Sequence, residues 1–114
     1  MFGFSRTYRL AGKHDFQSVF ANPNKTAHKY FLALSIPNQL QHARLGIVLS
    51  KHRLRLSVQR NRLRRLIRES FRHNKDVLKG VDVIILLRSE CIPLESSKTI
   101  RKDIDTLWQK LKTS

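Results

Sequence analysis

A chain of 114 residues with 40% hydrophobic content can bury one core of its own but not two, which fits one globular domain over residues 1 to 114 and excludes a second. Lys and Arg total 23 against 8 acids, for a net charge of +15 and a pI near 11.2, and that imbalance opposes compaction unless a polyanion, RNA or DNA, supplies counter-charge. The single cysteine, Cys91, excludes an internal disulfide and any multi-thiolate metal site, and the longest apolar run, Val83 to Leu87, is far short of the ~20 residues that cross a bilayer. With no apolar stretch of signal-peptide length near the N-terminus, the expected setting is reducing and cytoplasmic, with no membrane association.

In chain order, residues 1 to 12 read as an extended basic arm in which Arg6 and Arg9 interleave with Phe4, Tyr8 and Leu10, a type of segment that often orders on a partner. Lys13 to Phe20 predicts a short helix, because Phe16, Val19 and Phe20 recur at helical spacing before Asn22-Pro23-Asn24 ends it. Two aromatics on one turn more often mean core, but in a basic protein they can also form a platform for unpaired bases. Two strand candidates follow, His28 to Ile36 and Ala43 to Ser50, connected through Pro37-Asn38 and expected to pair antiparallel.

Leu56 to Arg72, LSVQRNRLRRLIRESFR, predicts a helix with divided faces. At about 100° per residue, Leu56, Leu63, Leu66, Ile67 and Phe71 share one arc, and Arg60, Asn61, Arg64, Arg65, Arg68 and Arg72 the other. Six arginines there, Arg62 included, meet a single acid, Glu69, so i,i+4 pairing cannot neutralise the row. A solvated face would mix both signs and favour lysine, and a membrane-surface helix would carry Trp on a broader apolar face. The arginine fork, which donates paired hydrogen bonds to phosphate and stacks on bases, points instead to nucleic acid.

Beyond it, Val81 to Arg88 (VDVIILLR) predicts a central strand covered on both faces. Ile100, Ile104, Leu107, Trp108 and Leu111 mark the buried side of a closing helix from Ser97 to Lys112, with Ser96 or Ser97 as N-cap. The order helix, strand, strand, basic helix, strand, helix describes an α/β domain with helices on a small mixed sheet, whose strand–helix–strand crossover would by the general rule be right-handed.

The segment Arg60 to Arg72 closely resembles the RNR helix of the bacterial ribonuclease P protein family. Its flanks agree in order and spacing: Arg9-Leu10, Asp15-Phe16 and Val19-Phe20, then Arg44-Leu45-Gly46-Ile47 to Ser50-Lys51, and Asp82-Val83-Ile84-Ile85 beyond the helix. The resemblance implies a two-layer α/β sandwich with a left-handed crossover, replacing the default hand. It also implies a subunit of a ribonucleoprotein that removes the 5′ leader of precursor tRNA, in which the RNA holds the magnesium ions and performs the hydrolysis and no protein partner is required. Carried over, Arg60, Asn61, Arg62, Arg64, Arg65 and Arg68, with Arg72, are expected to meet ribonuclease P RNA. The lead-in Lys51, Arg53 and Arg55 lacks a glycine found in some relatives and is expected to add phosphate contacts. Phe16 and Phe20, with Tyr30 on the first strand, are expected to line the cleft for the single-stranded leader; where some relatives have a further aromatic, this chain has Leu34.

The residues themselves suit that division of labour. A leader varies among precursors, so its binder should combine sequence-tolerant stacking with backbone charge. No paired-carboxylate motif, P-loop or Ser/His/Asp signature stands in the chain, and the five histidines have no metal-ligand spacing, so no catalytic or metal residue is assigned. The rival readings are a structural RNA binder such as a ribosomal protein, a protein-only nuclease, and a DNA architectural protein.

Overall fold

The computed structural model describes residues 8–10, 12–50, 54–88 and 96–113. Gly12, at φ +82°, turns the chain into α1 (Gly12–Ala21); then come β1 (Asn24–His28), β2 (Phe31–Pro37), β3 (Arg44–Val48), α2 (Ser57–Asn74), β4 (Val81–Leu87) and α3 (Ser97–Thr113). Ser96 is the cap of α3, its Oγ accepting the Thr99 N–H at 3.2 Å. No helix among the described residues is long and apolar enough to cross a membrane.

Two sequence expectations are corrected. The strand predicted from His28 to Ile36 is two strands, β1 and β2, paired as a hairpin that turns at Lys29-Tyr30. Neither residue announces a turn, and the contacts that hold it are distant: Tyr30 N–H donates to Asp103 Oδ2 at 3.3 Å, and Tyr30 C=O accepts from Arg88 N–H at 2.8 Å. Nor do β2 and β3 pair with each other. The sheet order is β1-β2-β4-β3, with β4 antiparallel to β2 and parallel to β3. Val83, Ile84 and Ile85 are wholly buried, and only a central place covers both faces and both edges of such a strand. The central position expected for residues 81–88 is therefore correct.

Cross-strand register sorts the side chains. Phe31, Ala33, Leu45, Val83, Ile85 and Leu87 face the main core, where they meet Leu63, Ile67 and Phe71 of α2 and Ile100, Ile104, Leu107 and Trp108 of α3. The reverse face carries the row Leu34, Ile84 and Gly46, covered by Val19 and Phe16 of α1 and by Leu10. The arm expected over residues 1 to 12 is described only near its end, where it is docked. Leu10 is buried and donates its N–H to Leu45 C=O at 3.0 Å, and Lys75 Nζ lies 4.3 Å from the Tyr8 ring centroid.

Candidate nucleic-acid interface

The reverse face of the sheet is built around a missing side chain. A Cβ on Gly46 would stand 2.8 Å from Phe16 Cζ, so glycine is what lets the ring lie directly on β3. Arg44, two residues earlier, fixes the helix that carries that ring. Its guanidinium donates to both oxygens of Asp82, Nε to Oδ1 at 2.9 Å and Nη2 to Oδ2 at 2.7 Å, and a third nitrogen lies 3.5 Å from Asp15 on α1. Asn38 Nδ2 adds a bond to Asp82 Oδ1 at 2.8 Å. The Asp82 hydrogen bond, helped by the charges of Asp82 and Asp15 and opposed by burial, holds the Arg44 guanidinium above its ordinary range.

Along this clamped edge, Phe16, Arg9, Leu10, Leu45, Gly46 and Ile47 form a recess of about 150 Å³ with Arg64 and Arg68 of α2. One aromatic ring and three guanidiniums thus converge from three separate parts of the chain. Burial, then the charges of Arg9 and Arg64, push the Arg68 guanidinium down from its usual value, as befits a partly covered cation with two others close by. Phe20, one turn beyond Phe16, is 45% exposed. Arg65 and Arg62 line a second, wider depression of about 360 Å³ with Asn61 and Val58; Arg62 also donates to Ser97 Oγ, and Asn61 Oδ1 accepts from Arg64 at 3.3 Å. Arg72 and Arg55 are exposed.

Other assigned residues fall elsewhere. Arg60 does not join the row: it is 8% exposed, and Nη1 donates to the carbonyls of Leu54 at 2.6 Å and Arg55 at 2.9 Å, tying the lead-in to the helix. Leu56, placed by its spacing on the apolar arc, precedes the first helical residue and is 57% exposed. Tyr30 does not meet Phe16 and Phe20. It packs against the main core and lines a separate recess beside α3 with His28, Lys29, Thr99, Lys102 and Asp103. There burial holds the Asp103 carboxyl above the usual carboxylate range, against the pull of the Tyr30 N–H and of His28, Lys29 and Lys110. Leu34 is buried beneath α1. Lys51, Arg53 and Cys91 lie outside the described residues.

The sequence placed Arg9 in the basic arm and Arg44 and Gly46 among the flanks of the basic helix, but assigned none of the three to the groove that they shape. The available signal was chemical: a glycine in a strand marks close approach, and an arginine on one strand has acids to meet at Asp15 and Asp82.

Arg60 gives a direct separation of scaffold from contact. Arg60→Ala is expected to lower the unfolding free energy by about 1–3 kcal/mol, because two inward carbonyls lose a charged donor, while the salt dependence of RNA binding stays that of the parent. Urea denaturation and a salt titration of binding check the two halves.

Comparisons with known proteins identify the family and the fold. The family profile described as Ribonuclease P matches residues 4–112. The ribonuclease P protein component of Pseudomonas aeruginosa (strain LESB58) is 42% identical over 109 residues, covering 95% of this chain and 80% of that protein. Among solved structures, the RNase P protein of Staphylococcus aureus superposes with a TM-score of 0.78 at 28% identity, covering 90% of this chain and 93% of that one. That of Thermotoga maritima gives 0.74 at 30% identity, covering 89% and 96%. The chain belongs to the ribonuclease P protein component family, and its role lies in tRNA 5′ processing.

Proposed function

We propose that this chain is the protein subunit of a cytoplasmic ribonuclease P ribonucleoprotein, binding ribonuclease P RNA through the exposed arginines of α2 and the 5′ leader of precursor tRNA through the groove between α1 and α2. The observation that carries the reading is the convergence of Phe16 with Arg9, Arg64 and Arg68 in one recess. A ring supplies a stacking surface that any base can use, and guanidiniums beside it follow the phosphates of an unpaired strand. Phe20 extends that surface along α1. In this reading the RNA carries out the magnesium-dependent hydrolysis, and the chain contributes affinity and position. Among the described residues, no three or more His, Cys, Asp or Glu gather into a group able to hold a metal ion.

The test is cleavage of a precursor tRNA at low magnesium by ribonuclease P RNA, with and without the protein, beside the protein alone. Acceleration only when both are present is the expected result. No acceleration would favour a purely structural RNA binder, and cleavage by the protein alone would overturn the division of labour. Two variants locate the binding surfaces. Arg62→Ala, Arg65→Ala and Arg72→Ala together, outside the groove, should lower the slope of log K against log salt for ribonuclease P RNA by about 2–3, since each phosphate that an arginine neutralises adds ~0.7–0.9 to that slope. Phe16→Ala should weaken precursor tRNA by ~1–3 kcal/mol per unstacked base and leave mature tRNA unaffected. Equal losses for both substrates would remove the leader from the groove.

A further inference from the structure

The groove does not use all of the positive charge. On α3, Lys98, Lys102 and Lys110 are exposed and recur at multiples of four residues, so they follow one another along a slowly winding stripe. At 1.5 Å per residue the stripe is ~18 Å long. The hairpin turn brings Lys29 to its middle, where Lys29 and Lys102 share the walls of the recess of about 250 Å³ that also holds Tyr30. Nearer the C-terminal end, Lys110 Nζ donates to Ala27 C=O at 3.2 Å, which joins the stripe to the edge strand β1.

Three features make this more than a solvated face. The acids of α3 offset little of its charge: Asp103, which lines the same recess and feels the charges of Lys29 and Lys110, is buried, 3.3 Å from His28 Nε2 and bonded to Tyr30 N–H, and Asp105 is held by Ser70 and Arg101 on the side facing α2. Lys29 stands at φ +36°, a backbone position that glycine or asparagine would fill with less strain, so an ammonium is kept where the turn alone would favour another residue. And the large exposed apolar residues among those described, Phe20, Leu40, Val48, Leu56, Val58 and Val77, all lie off α3, which leaves the stripe without the apolar contact that a membrane surface or a protein partner would use.

We propose that Lys29, Lys98 and Lys102, continued by Lys110, form a second RNA track that holds the phosphate backbone of an RNA segment along α3, apart from the groove between α1 and α2. The two surfaces differ in kind. Arginine forks beside a phenylalanine recognise a shaped, unpaired strand, whereas lysines on a helix act as point charges that hold a backbone without reading it. The track does not depend on the leader reading of the groove.

The experiment is a salt titration of binding with the full chain carrying Lys98→Ala, Lys102→Ala and Lys29→Gly, glycine being chosen because it accepts the φ of the turn. Circular dichroism melting verifies that the variant folds. For ribonuclease P RNA the slope of log K against log salt should fall by about 2–3, and arginine at the same three positions should restore it. A normal slope with the RNA alone, together with a reduced slope for precursor and mature tRNA alike on the assembled holoenzyme, would place the substrate on the track instead. Unchanged slopes in both arms, with the fold intact, overturn the proposal. Failure of the groove would show as lost preference for precursor over mature tRNA, and failure of the track as an unchanged salt slope, so the two are distinguishable.

Discussion

Arg44→Leu should lower the unfolding free energy by about 2–4 kcal/mol and, in the protein that remains folded, remove most of its preference for precursor over mature tRNA. Breaking a buried ion pair from one side costs ~3–5 kcal/mol, because the other charge is left without its partner. Here the Asp82 side chain is 6% exposed and that of Arg44 25%, and Asn38 still reaches Asp82, so the cost is placed about 1 kcal/mol below that range. The functional loss has a different origin. Arg44 is also the link from β3 to Asp15, the residue next to Phe16, and its removal takes away the charge that draws that turn of α1 over Gly46. A second variant separates the two effects. Arg44→Leu combined with Asp82→Leu replaces the pair with apolar groups and should recover most of the stability, yet it does not restore the link to Asp15, so the preference should stay lost. Recovery of both together would mean that the clamp serves only the fold. Chemical denaturation and paired binding measurements on precursor and mature tRNA decide it.

A larger loss of stability is expected at Trp108. Trp108→Ala should cost ~3–5 kcal/mol, since the ring is wholly buried and its removal leaves a cavity between α2 and α3. The indole meets the Phe71 ring edge to face at 5.9 Å, and Nε1 donates to Ser70 Oγ at 2.8 Å. Ser70 in turn donates to Asp105, whose carboxylate is held by Arg101 at 3.3 Å. Trp108→Phe keeps much of the volume but deprives Ser70 of its donor, and about 1–2 kcal/mol is expected for that change. Because α2 rests on α3 through this contact, the alanine variant should lose leader preference and salt-dependent RNA binding together near its unfolding midpoint. The groove variants should lose one or the other. Urea unfolding with an unchanged m-value would attribute the loss to stability alone.

The helices and the central strand were legible because each announces itself locally. Ile100, Ile104, Leu107 and Leu111 repeat at helical spacing, and Val83 to Leu87 can only be a buried segment. Strand partnership was not legible, because nothing within Ala43 to Ser50 states that its neighbour lies 38 residues onward, as Arg44 opposite Asp82 does. Tyr30 was misplaced for a related reason. Alternation assigns residues 30, 32 and 34 to one face, but the chain turns at Lys29-Tyr30 and the alternation starts only after it. With Arg60 the wheel was adequate and its charge misled. Seven residues make nearly two turns, so Arg60 lies within about 20° of Ile67, on the buried side. The arginines of α2 could be read as one cationic row from charge alone; the meeting of two of them with Phe16 could not, since it depends on Gly46 and on the clamp at Arg44.

The position of β4 has a consequence for how the chain is made. The last strand to be synthesised lies between β2 and β3, so β3 must wait for residues 81–87 before it can join the sheet. At ~5–20 residues per second, the 33 residues from Val48 to Val81 take about 2–7 seconds to emerge. During that interval α2 is present with its apolar stripe uncovered and its arginines beside the ribosome's own RNA, and β2 has only β1, an isolated hairpin that is marginal in water. Parallel pairing at such separation is slow to nucleate. Completion of the sheet thus waits for residues 81–87, and a nascent chain arrested before Val81 lacks the strand that joins β3 to β2 and closes the layer on which its most basic helix packs.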